Sequence, residues 1–575
     1  MSNSKAAMWL ARALLLAAAV SLQRPVLPTT TPKGRIAFAA RRGGNWDIYS
    51  VDIEGDLRRL TTHPAQDRDP AWSPDGGKIA FASRRDGNWD IYVLDAGGNI
   101  ARLTDDPAYD GAPSWSPDGG KIAFESYRAG DLDIFVMNAD GTGQVNLTPD
   151  EPAGDYGPAW SPDGRKIAFT SWRYGDKDIF ILDVETGEVI QLTESPADEE
   201  SPVWSPDGRK LAFVSEEGGV REVYVVDVSA GARPRRVTWL ARDDSPAWSP
   251  DGERLAFVCH RPDGEVILVV EPGAVGELPL RLTEVEAISG PLSWSGAAGA
   301  WGEAPGDEEA PPLYQERLSP LRGCGHPYGF RRLRGAFLRV PGGGTDLTKL
   351  SDRVDDSFAA LQARVRQETG RDFLGELSEA FRSIDFHSEV SEYASWHKAG
   401  RAIDLLFDFR SPSGWPLWEV VREDVGGETY WRLFLRCARQ DGSQGAPLKA
   451  TPWDLSYRAR AIVAPEEGGT PKPIPQGYYV DFTALAREYG WRRIAAHDTE
   501  EFSWKWHFMA LEYWHYQKTE GLSWYQAMQE VYSPAELERF FFWDEMVALG
   551  EDEWLIAAKG VPLPPKAGKW LDLRP

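Results

Sequence analysis

The chain has 575 residues, 42% of them hydrophobic and 12% aromatic, a composition suited to globular folding in two or more domains. Its 63 basic and 88 acidic residues give a net charge of −25, which argues against nucleic acid as a partner because phosphate binding needs basic surface. The charge fits an exported protein kept soluble by self-repulsion, and equally an ordinary acidic surface. Three widely separated cysteines, Cys259, Cys324 and Cys437, predict no disulfide framework.

Residues 1–22 have the pattern of an export signal. Lys5 and Arg12 give positive charge before the ten-residue apolar run from Ala13 to Leu22, and Ala17-x-Ala19 offers a cleavage site of small residues. The run is too short for a comfortable transmembrane helix, so we predict no integral membrane domain beyond this signal, although an uncleaved anchor stays open. The expected location is therefore secreted, periplasmic or on the cell surface.

From residue 34 to residue 296 the chain repeats itself. A tryptophan that follows a proline recurs at steps of 43, 45, 44, 44 and 46 residues. Five of these six copies continue as Ser-Pro-Asp-Gly, a turn in which proline sets the first central angle and glycine accepts a positive one. Four short strands in a unit of this length are typical of a propeller blade. The repeated tryptophans are Trp72, Trp115, Trp160, Trp204, Trp248 and Trp294.

The repeats also predict how the ring closes. Six Ile/Leu-Ala-Phe strands accompany the six tryptophan strands, but the two sets are displaced by one unit. The first unit begins at Gly34 without a tryptophan strand, and the last strand, Pro291–Trp294, has no Ser-Pro-Asp-Gly after it. The simplest solution has this strand complete the first blade of a six-bladed, all-β ring without exposed sheet edges. The repeats resemble the WD40-like propeller of TolB-type proteins, a likeness that implies the fold and leaves the ligand open.

Residues 297–312 have the composition of a linker, and residues 313–575 are predicted to form a second, non-repetitive domain. A helix is predicted between Ser351, as its cap, and Gly370, as its end. Strand and helix patterns then alternate without a repeat, which indicates a mixed α+β domain with a small sheet. The later predicted elements are strands at 402–407, at 418–436 and at 478–482, a helix at 483–488, and two short helices within 523–549, split near Ser533.

Within this domain, the stretch from Ser395 to Asp404 holds a histidine and a carboxylate that can both bind a metal ion. His397 and Asp404 are seven residues apart, so one straight strand would place them on opposite faces. A turn at Gly400 removes that objection, because glycine tolerates a sharp bend. Ala402 would then share a face with Asp404 and leave room beside a metal. Taken alone, the pair could equally be a surface histidine and an aspartate in an ordinary turn.

The complete pattern resembles the signature of zinc D-Ala-D-Ala carboxypeptidases and dipeptidases, whose fold is shared with the Hedgehog signalling domain. All fixed positions of the motif Ser-x-His-x2-Gly-x-Ala-x-Asp are present, at Ser395, His397, Gly400, Ala402 and Asp404. The resemblance implies a zinc peptidase domain in which His397 and Asp404 bind Zn²⁺. Ser395 would either donate a hydrogen bond that supports the zinc ligands or the substrate, or simply form the turn.

A second motif of that family, Glu-x-Trp-His, is matched by residues 512–515. The match implies that His515 is the third zinc ligand and Glu512 the catalytic base. His507 also follows a tryptophan, but the residue three positions before it is Trp504, which cannot accept a proton. We therefore assign the ligand role to His515.

Arg382, fifteen residues before His397, resembles the upstream arginine of the same family. The likeness implies that Arg382 binds the substrate carboxylate or stabilises a developing oxyanion through a charge-assisted hydrogen bond. The spacing is shorter than expected for the family, so a structural salt bridge is an equal alternative. Two histidines and one carboxylate leave the fourth zinc position open, which marks a catalytic site.

These patterns together predict an exported zinc metallopeptidase that acts on cell-wall peptides of the D-Ala-D-Ala type. Its propeller would bind an unidentified protein partner or the wall, and so raise the local concentration of the enzyme there. The alternative is a non-catalytic, TolB-like binding or scaffold protein with a degenerate peptidase-like domain. Glu512 favours the enzyme, because a purely structural zinc site needs no general base.

Overall fold

The computed structural model describes most of the chain between residues 34 and 561. The predicted export signal, Arg382, Gly400, Cys324 and most of the predicted linker lie outside the described residues. The residues not described are 1–33, 43, 150–152, 218, 230, 241, 262–263, 274–278, 298–300, 302–312, 319–329, 341–343, 381–394, 400, 407–409, 411–415, 426, 457, 465–466, 499–502, 506, 508–509, 541–546, 548–552 and 562–575.

Residues 35–295 form six four-stranded antiparallel sheets, which are the blades of a propeller. The innermost strand of each sheet contacts the innermost strands of the two neighbouring sheets, and this succession closes on itself. Blade 1 consists of β24 (Ala287–Ser295), β1 (Arg35–Arg42), β2 (Asn45–Asp52) and β3 (Leu57–Arg59); blade 2 of β4 (Asp67–Trp72), β5 (Lys78–Ser83), β6 (Asp90–Asp95) and β7 (Ile100–Arg102); blade 3 of β8 (Asp110–Trp115), β9 (Lys121–Ser126), β10 (Asp133–Asn138) and β11 (Val145–Asn146); blade 4 of β12 (Asp155–Trp160), β13 (Lys166–Ser171), β14 (Asp178–Asp183) and β15 (Val189–Gln191); blade 5 of β16 (Asp198–Trp204), β17 (Lys210–Glu217), β18 (Val220–Asp227) and β19 (Arg235–Arg236); blade 6 of β20 (Asp243–Trp248), β21 (Leu255–Arg261), β22 (Gly264–Val270) and β23 (Leu280–Val285).

The last propeller strand completes the first blade, as the repeat pattern predicts. Strand β24 pairs with β1 in antiparallel register, with Ile36 opposite Trp294 and Ala40 opposite Ile288. Its Leu292 is buried in a core shared by blades 1 and 6. Both ends of the propeller sequence therefore contribute to one sheet, and no innermost strand is left without its partner.

Each Ser-Pro-Asp-Gly turn is held by the same local hydrogen bonds. In the first copy, the hydroxyl of Ser73 donates to Asp75 Oδ1 at 2.6 Å and accepts from the backbone of Lys78 at 2.9 Å. Gly76 has φ of 66°, a conformation that favours glycine. Each of the six blades also contains a strand whose phenylalanine is completely buried, and this burial stabilises the fold by about 1.5–3 kcal/mol per side chain. These phenylalanines are Phe38, Phe81, Phe124, Phe169, Phe213 and Phe257.

The region after the propeller is a mixture of strands and helices. A six-stranded sheet has the order β26-β25-β27-β28-β36-β35, and a four-stranded sheet has the order β29-β30-β34-β31. The strands are β25 (Phe330–Val340), β26 (Gly344–Ser351), β27 (Glu376–Glu379), β28 (Ala402–Leu405), β29 (Trp418–Val425), β30 (Glu428–Arg436), β31 (Ala446–Pro447), β32 (Trp453–Asp454), β33 (Thr470–Pro471), β34 (Tyr478–Asp481), β35 (Arg492–Arg493) and β36 (His515–Gln517). The helices are α1 (Asp355–Thr369), α2 (Phe482–Glu488), α3 (Trp524–Val531), α4 (Pro534–Phe540) and α5 (Glu553–Ala558), with a π-helical turn at Ala459–Val463.

Helix α1 ends as predicted but begins differently. Gly370 adopts φ of 69° and its N–H donates to the carbonyl of Arg366, so the helix ends in a left-handed cap. The predicted cap at Ser351 is wrong, because the helix starts after Val354, which offers no capping side chain. Ser351 closes strand β26, and its carbonyl instead accepts the N–H of Val354.

The region after the propeller packs against it. The indole N–H of Trp301 donates to the carbonyl of Gly76 at 3.0 Å, and its ring stacks edge-on against Trp72 at 5.0 Å. Trp301 is therefore anchored in the propeller although it lies within the predicted linker. Among the described residues, no helix is long and apolar enough to cross a membrane.

Candidate metal centre

A tight turn presents His397 to the protein interior. The backbone N–H of His397 lies 3.3 Å from Ser395 Oγ, which accepts it, and the N–H of Lys398 donates to the Ser395 carbonyl at 3.0 Å. The N–H of Arg401 donates back to Trp396 at 3.2 Å. Of the two roles that the sequence leaves open for Ser395, these bonds match the turn former. His397 keeps only 1% of its surface exposed.

Strand pairing brings the other two candidate ligands together. Asp404 in β28 lies directly opposite His515 in β36, and Asp404 Oδ1 is 2.7 Å from His515 Nδ1. Side chains opposite each other on antiparallel strands point to the same face, which explains the contact. Ala402, two residues before Asp404, is fully buried. The sequence motifs thus meet through one short strand pair.

The three side chains form one buried group whose donor atoms lie within 4.8 Å of one another. His397 Nε2 is 3.2 Å from Asp404 Oδ1, and the two imidazole rings stand edge-on at 5.0 Å. Ligand atoms about 2.0–2.1 Å from a tetrahedral zinc ion are about 3.3 Å apart. Neither ring nitrogen of His397 makes a hydrogen bond of acceptable geometry. Because buried polar atoms normally find partners, this orphaned imidazole fits a metal ligand.

The charges within the group reinforce one another. Burial acts to raise the pKa of Asp404, but His397 and His515 outweigh it and hold that pKa well below its ordinary value. Burial acts to lower the pKa of His515, while the carboxylates of Asp404 and then Glu512 raise it overall. A cation bound between the three side chains would itself provide the positive charge that stabilises the Asp404 carboxylate.

Glu512 lies in the turn that leads into β36. Its carbonyl accepts the N–H of His515 at 3.1 Å, and its φ of 55° is uncommon for a residue with a side chain. Strained backbone of this kind occurs most often at functional sites. The carboxylate is mostly buried and lies 3.4 Å from His497 Nε2. A turn, and not a helix, therefore connects Glu512 to His515.

The sequence patterns missed two supporting residues. Arg401 is completely buried and donates to the Lys518 carbonyl at 3.1 Å, to Glu520 at 2.9 Å and to Glu530 of helix α3 at 2.7 Å. Arg401 lies inside the motif from Ser395 to Asp404, so its position in the sequence could have identified it as a supporting residue. His497 had no such signal, because nothing in the sequence links it to Glu512, fifteen residues later.

His507 is exposed and does not belong to the buried group. Arg382 lies outside the described residues. A second acidic group of Glu316, Asp355 and Asp356 is only half-buried.

Comparison with known proteins finds a family likeness within residues 24–271. A family model of the TolB beta propeller domain matches residues 24–99, 69–152 and 142–271. Among solved structures, TolB from Acinetobacter baumannii is 25% identical over 46% of this chain and 66% of that chain, with a TM-score of 0.41. A putative TolB from Agrobacterium tumefaciens is 22% identical over 45% and 92% of the respective chains, with a TM-score of 0.38. A search of curated proteins found no match.

Proposed function

Since residues 24–271 match the TolB beta propeller domain, we propose that this chain is an exported protein in which such a propeller carries a zinc-dependent peptidase domain. The observation that supports the enzymatic part is the buried group of His397, Asp404 and His515. The Glu512 carboxylate is near enough to this group to raise the pKa of His515. Two imidazoles and one carboxylate form the donor set of a catalytic zinc site with one open position.

Each side chain has a defined task in this proposal. Zinc bound there would supply Lewis acidity, which activates a water molecule and polarises the scissile carbonyl. Glu512 takes a proton from the attacking water and passes it to the leaving amine. His497, whose Nε2 is 3.4 Å from Glu512 Oε1, would help to hold this carboxylate in place. Arg382 is assigned to the substrate carboxylate by resemblance alone.

The proposed substrate is a cell-wall peptide that ends in D-Ala-D-Ala, at a secreted, periplasmic or cell-surface location. Both assignments rest on the likeness of the two motifs to the carboxypeptidase family. The propeller would contribute binding to a partner or to the wall, and so concentrate the enzyme near its substrate.

The decisive experiment measures zinc and hydrolysis in the same preparations. The purified chain should contain one zinc per molecule and cleave a peptide ending in D-Ala-D-Ala. Glu512→Gln should keep the zinc and lose a factor of about 10²–10⁴ in kcat, because that is the usual contribution of a general base. The exposed carboxylate variant Glu467→Gln serves as the control and should match the wild type.

Two results would overturn the proposal. A chain that binds no zinc would rule out the metal site, and zinc without hydrolysis in the wild type would favour the non-catalytic scaffold. Full activity in Glu512→Gln would remove Glu512 from the reaction.

A further inference from the structure

A lysine of the C-terminal region contacts the inner part of the propeller. Lys449, just after β31, forms an ion pair with Glu125 of β9. Its ammonium group also lies over the rings of Tyr109 and Tyr156, at 5.5 Å and 5.4 Å from their centres. Cations are attracted to aromatic faces at such distances. The lysine therefore bridges blades 3 and 4.

Glu125 departs from the blade repeat. The residue after the phenylalanine in the other five Ile/Leu-Ala-Phe strands is Ala39, Ala82, Thr170, Val214 or Val258. The side chain of Glu125 is fully buried, whereas Lys449 keeps 34% of its side-chain surface exposed. Tyr109 donates to Glu125 Oε1 at 2.8 Å and the Gly157 N–H donates to Oε2 at 2.9 Å, but both are neutral donors. A buried carboxylate needs a counter-charge, and Lys449 provides it.

Two hydrogen bonds from backbone amides to tyrosine hydroxyls also connect the propeller and the C-terminal region. The N–H of Tyr109 donates to the Tyr478 hydroxyl at 3.3 Å, and the N–H of Gly477 donates to the Tyr127 hydroxyl at 2.8 Å. The rings of Tyr127 and Tyr478 meet edge-on at 5.3 Å. Each of these amide hydrogens has its acceptor on the other side of the contact, so its exchange with solvent reports the contact directly.

A second ion pair connects blade 2 to the C-terminal region, and here the positive charge is on the propeller. Arg84 of the propeller pairs with Glu368 of helix α1, and it also donates to the Ser443 carbonyl at 3.4 Å. The propeller thus offers a positive charge at Arg84 and a negative charge at Glu125, and the C-terminal region offers the complements. A rotated arrangement would bring like charges together, so the two pairs specify one orientation.

All of these propeller residues lie at one end of the blades. Arg84 and Tyr127 belong to the hairpins that follow β5 and β9, whereas the Ser-Pro-Asp-Gly turns precede those strands and lie at the opposite end. We propose that the hairpin end of the propeller, around Arg84, Tyr109, Glu125 and Tyr127, is an intramolecular docking surface for the C-terminal domain, in which Lys449 neutralises the buried Glu125.

The test uses the full-length chain and amide hydrogen exchange at Tyr109 and Gly477. Lys449→Met keeps the length of the side chain and removes its charge. The matched control is Lys472→Met, because Lys472 pairs with Glu419 inside the C-terminal domain and is 33% exposed. We expect exchange at both amides to rise about tenfold or more in Lys449→Met and to stay at the wild-type rate in Lys472→Met.

A double variant guards against a substitution that simply misfolds. Lys449→Met leaves a buried carboxylate without its counter-charge, whereas Glu125→Gln/Lys449→Met leaves no unpaired charge and keeps an amide oxygen as acceptor; exchange at Gly477 should therefore be slower in the double variant than in Lys449→Met. Unchanged exchange in Lys449→Met, or a double variant that exchanges as fast as Lys449→Met, would overturn the proposal. Neither readout depends on zinc or on hydrolysis.

Discussion

Replacing His515 or His507 by alanine separates the two histidines that follow a tryptophan in the C-terminal domain. His515 is buried with its Nδ1 2.7 Å from Asp404, whereas His507 is exposed. We expect His515→Ala to abolish zinc binding and His507→Ala to preserve it. The two variants remove the same atoms, so the difference between them reports position and not residue type.

The size of the effect follows from the donor set. Changes in groups that merely support a ligand weaken metal binding about 10–100-fold, so loss of one of three ligands should cost at least about 100-fold, or about 2.7 kcal/mol. At a free zinc concentration of about 100 times Kd, binding stabilises the folded state by about 2.7 kcal/mol. For a domain of about 150–250 residues this corresponds to a rise in Tm of about 5–10 °C.

Calorimetric zinc titration and thermal unfolding with and without a chelator measure both quantities. The wild type and His507→Ala should lose the zinc-dependent part of Tm when the chelator is added, and His515→Ala should show no change. If His507→Ala loses the metal while His515→Ala keeps it, the ligand assignment is wrong, and Glu512 becomes an ordinary carboxylate.

Two further predictions concern the propeller. Leu292→Ala in the closing strand should destabilise the chain by about 2–5 kcal/mol in urea unfolding, because Leu292 is buried between blades 1 and 6, while Ile100→Ala at an exposed site should change little. Equal stability of the two variants would argue against the closing role of β24. His260 lies 2.8 Å from Glu265 and 3.7 Å from Asp244; burial acts to lower its pKa, but these two carboxylates raise it from 6.5 to about 9. The folded state therefore favours the charged ring, so the stability advantage of the wild type over His260→Gln should be full below pH 6.5 and disappear as the pH rises through about 9. An advantage that grows with pH would contradict this assignment.

The sequence by itself determined the propeller. Five of the six blades are specified by a short segment in which a Ser-Pro-Asp-Gly turn is followed by a strand with a buried phenylalanine. Because this information is local and repeated, the strand count and even the displaced closing strand β24 follow from the sequence alone. The two metal motifs likewise identified His397, Asp404 and His515 as candidates, although neither motif indicates how the two segments meet.

The tertiary structure decided the rest. Asp404 and His515 are 111 residues apart, and only the pairing of β28 with β36 places them at 2.7 Å. The contacts of Glu512 with His497 and of Lys449 with Glu125 arise from packing between distant segments, which leaves no periodic signal in the sequence. Ser351 was predicted to be a helix cap because capping is usually a local interaction. In the structure, Ser351 belongs to strand β26 and pairs with the neighbouring strand, and it does not cap the helix. Local sequence patterns thus specify the strands and helices. The contacts between these elements depend on which side chains are buried and which charges are paired, and this is decided by the fold of the whole chain.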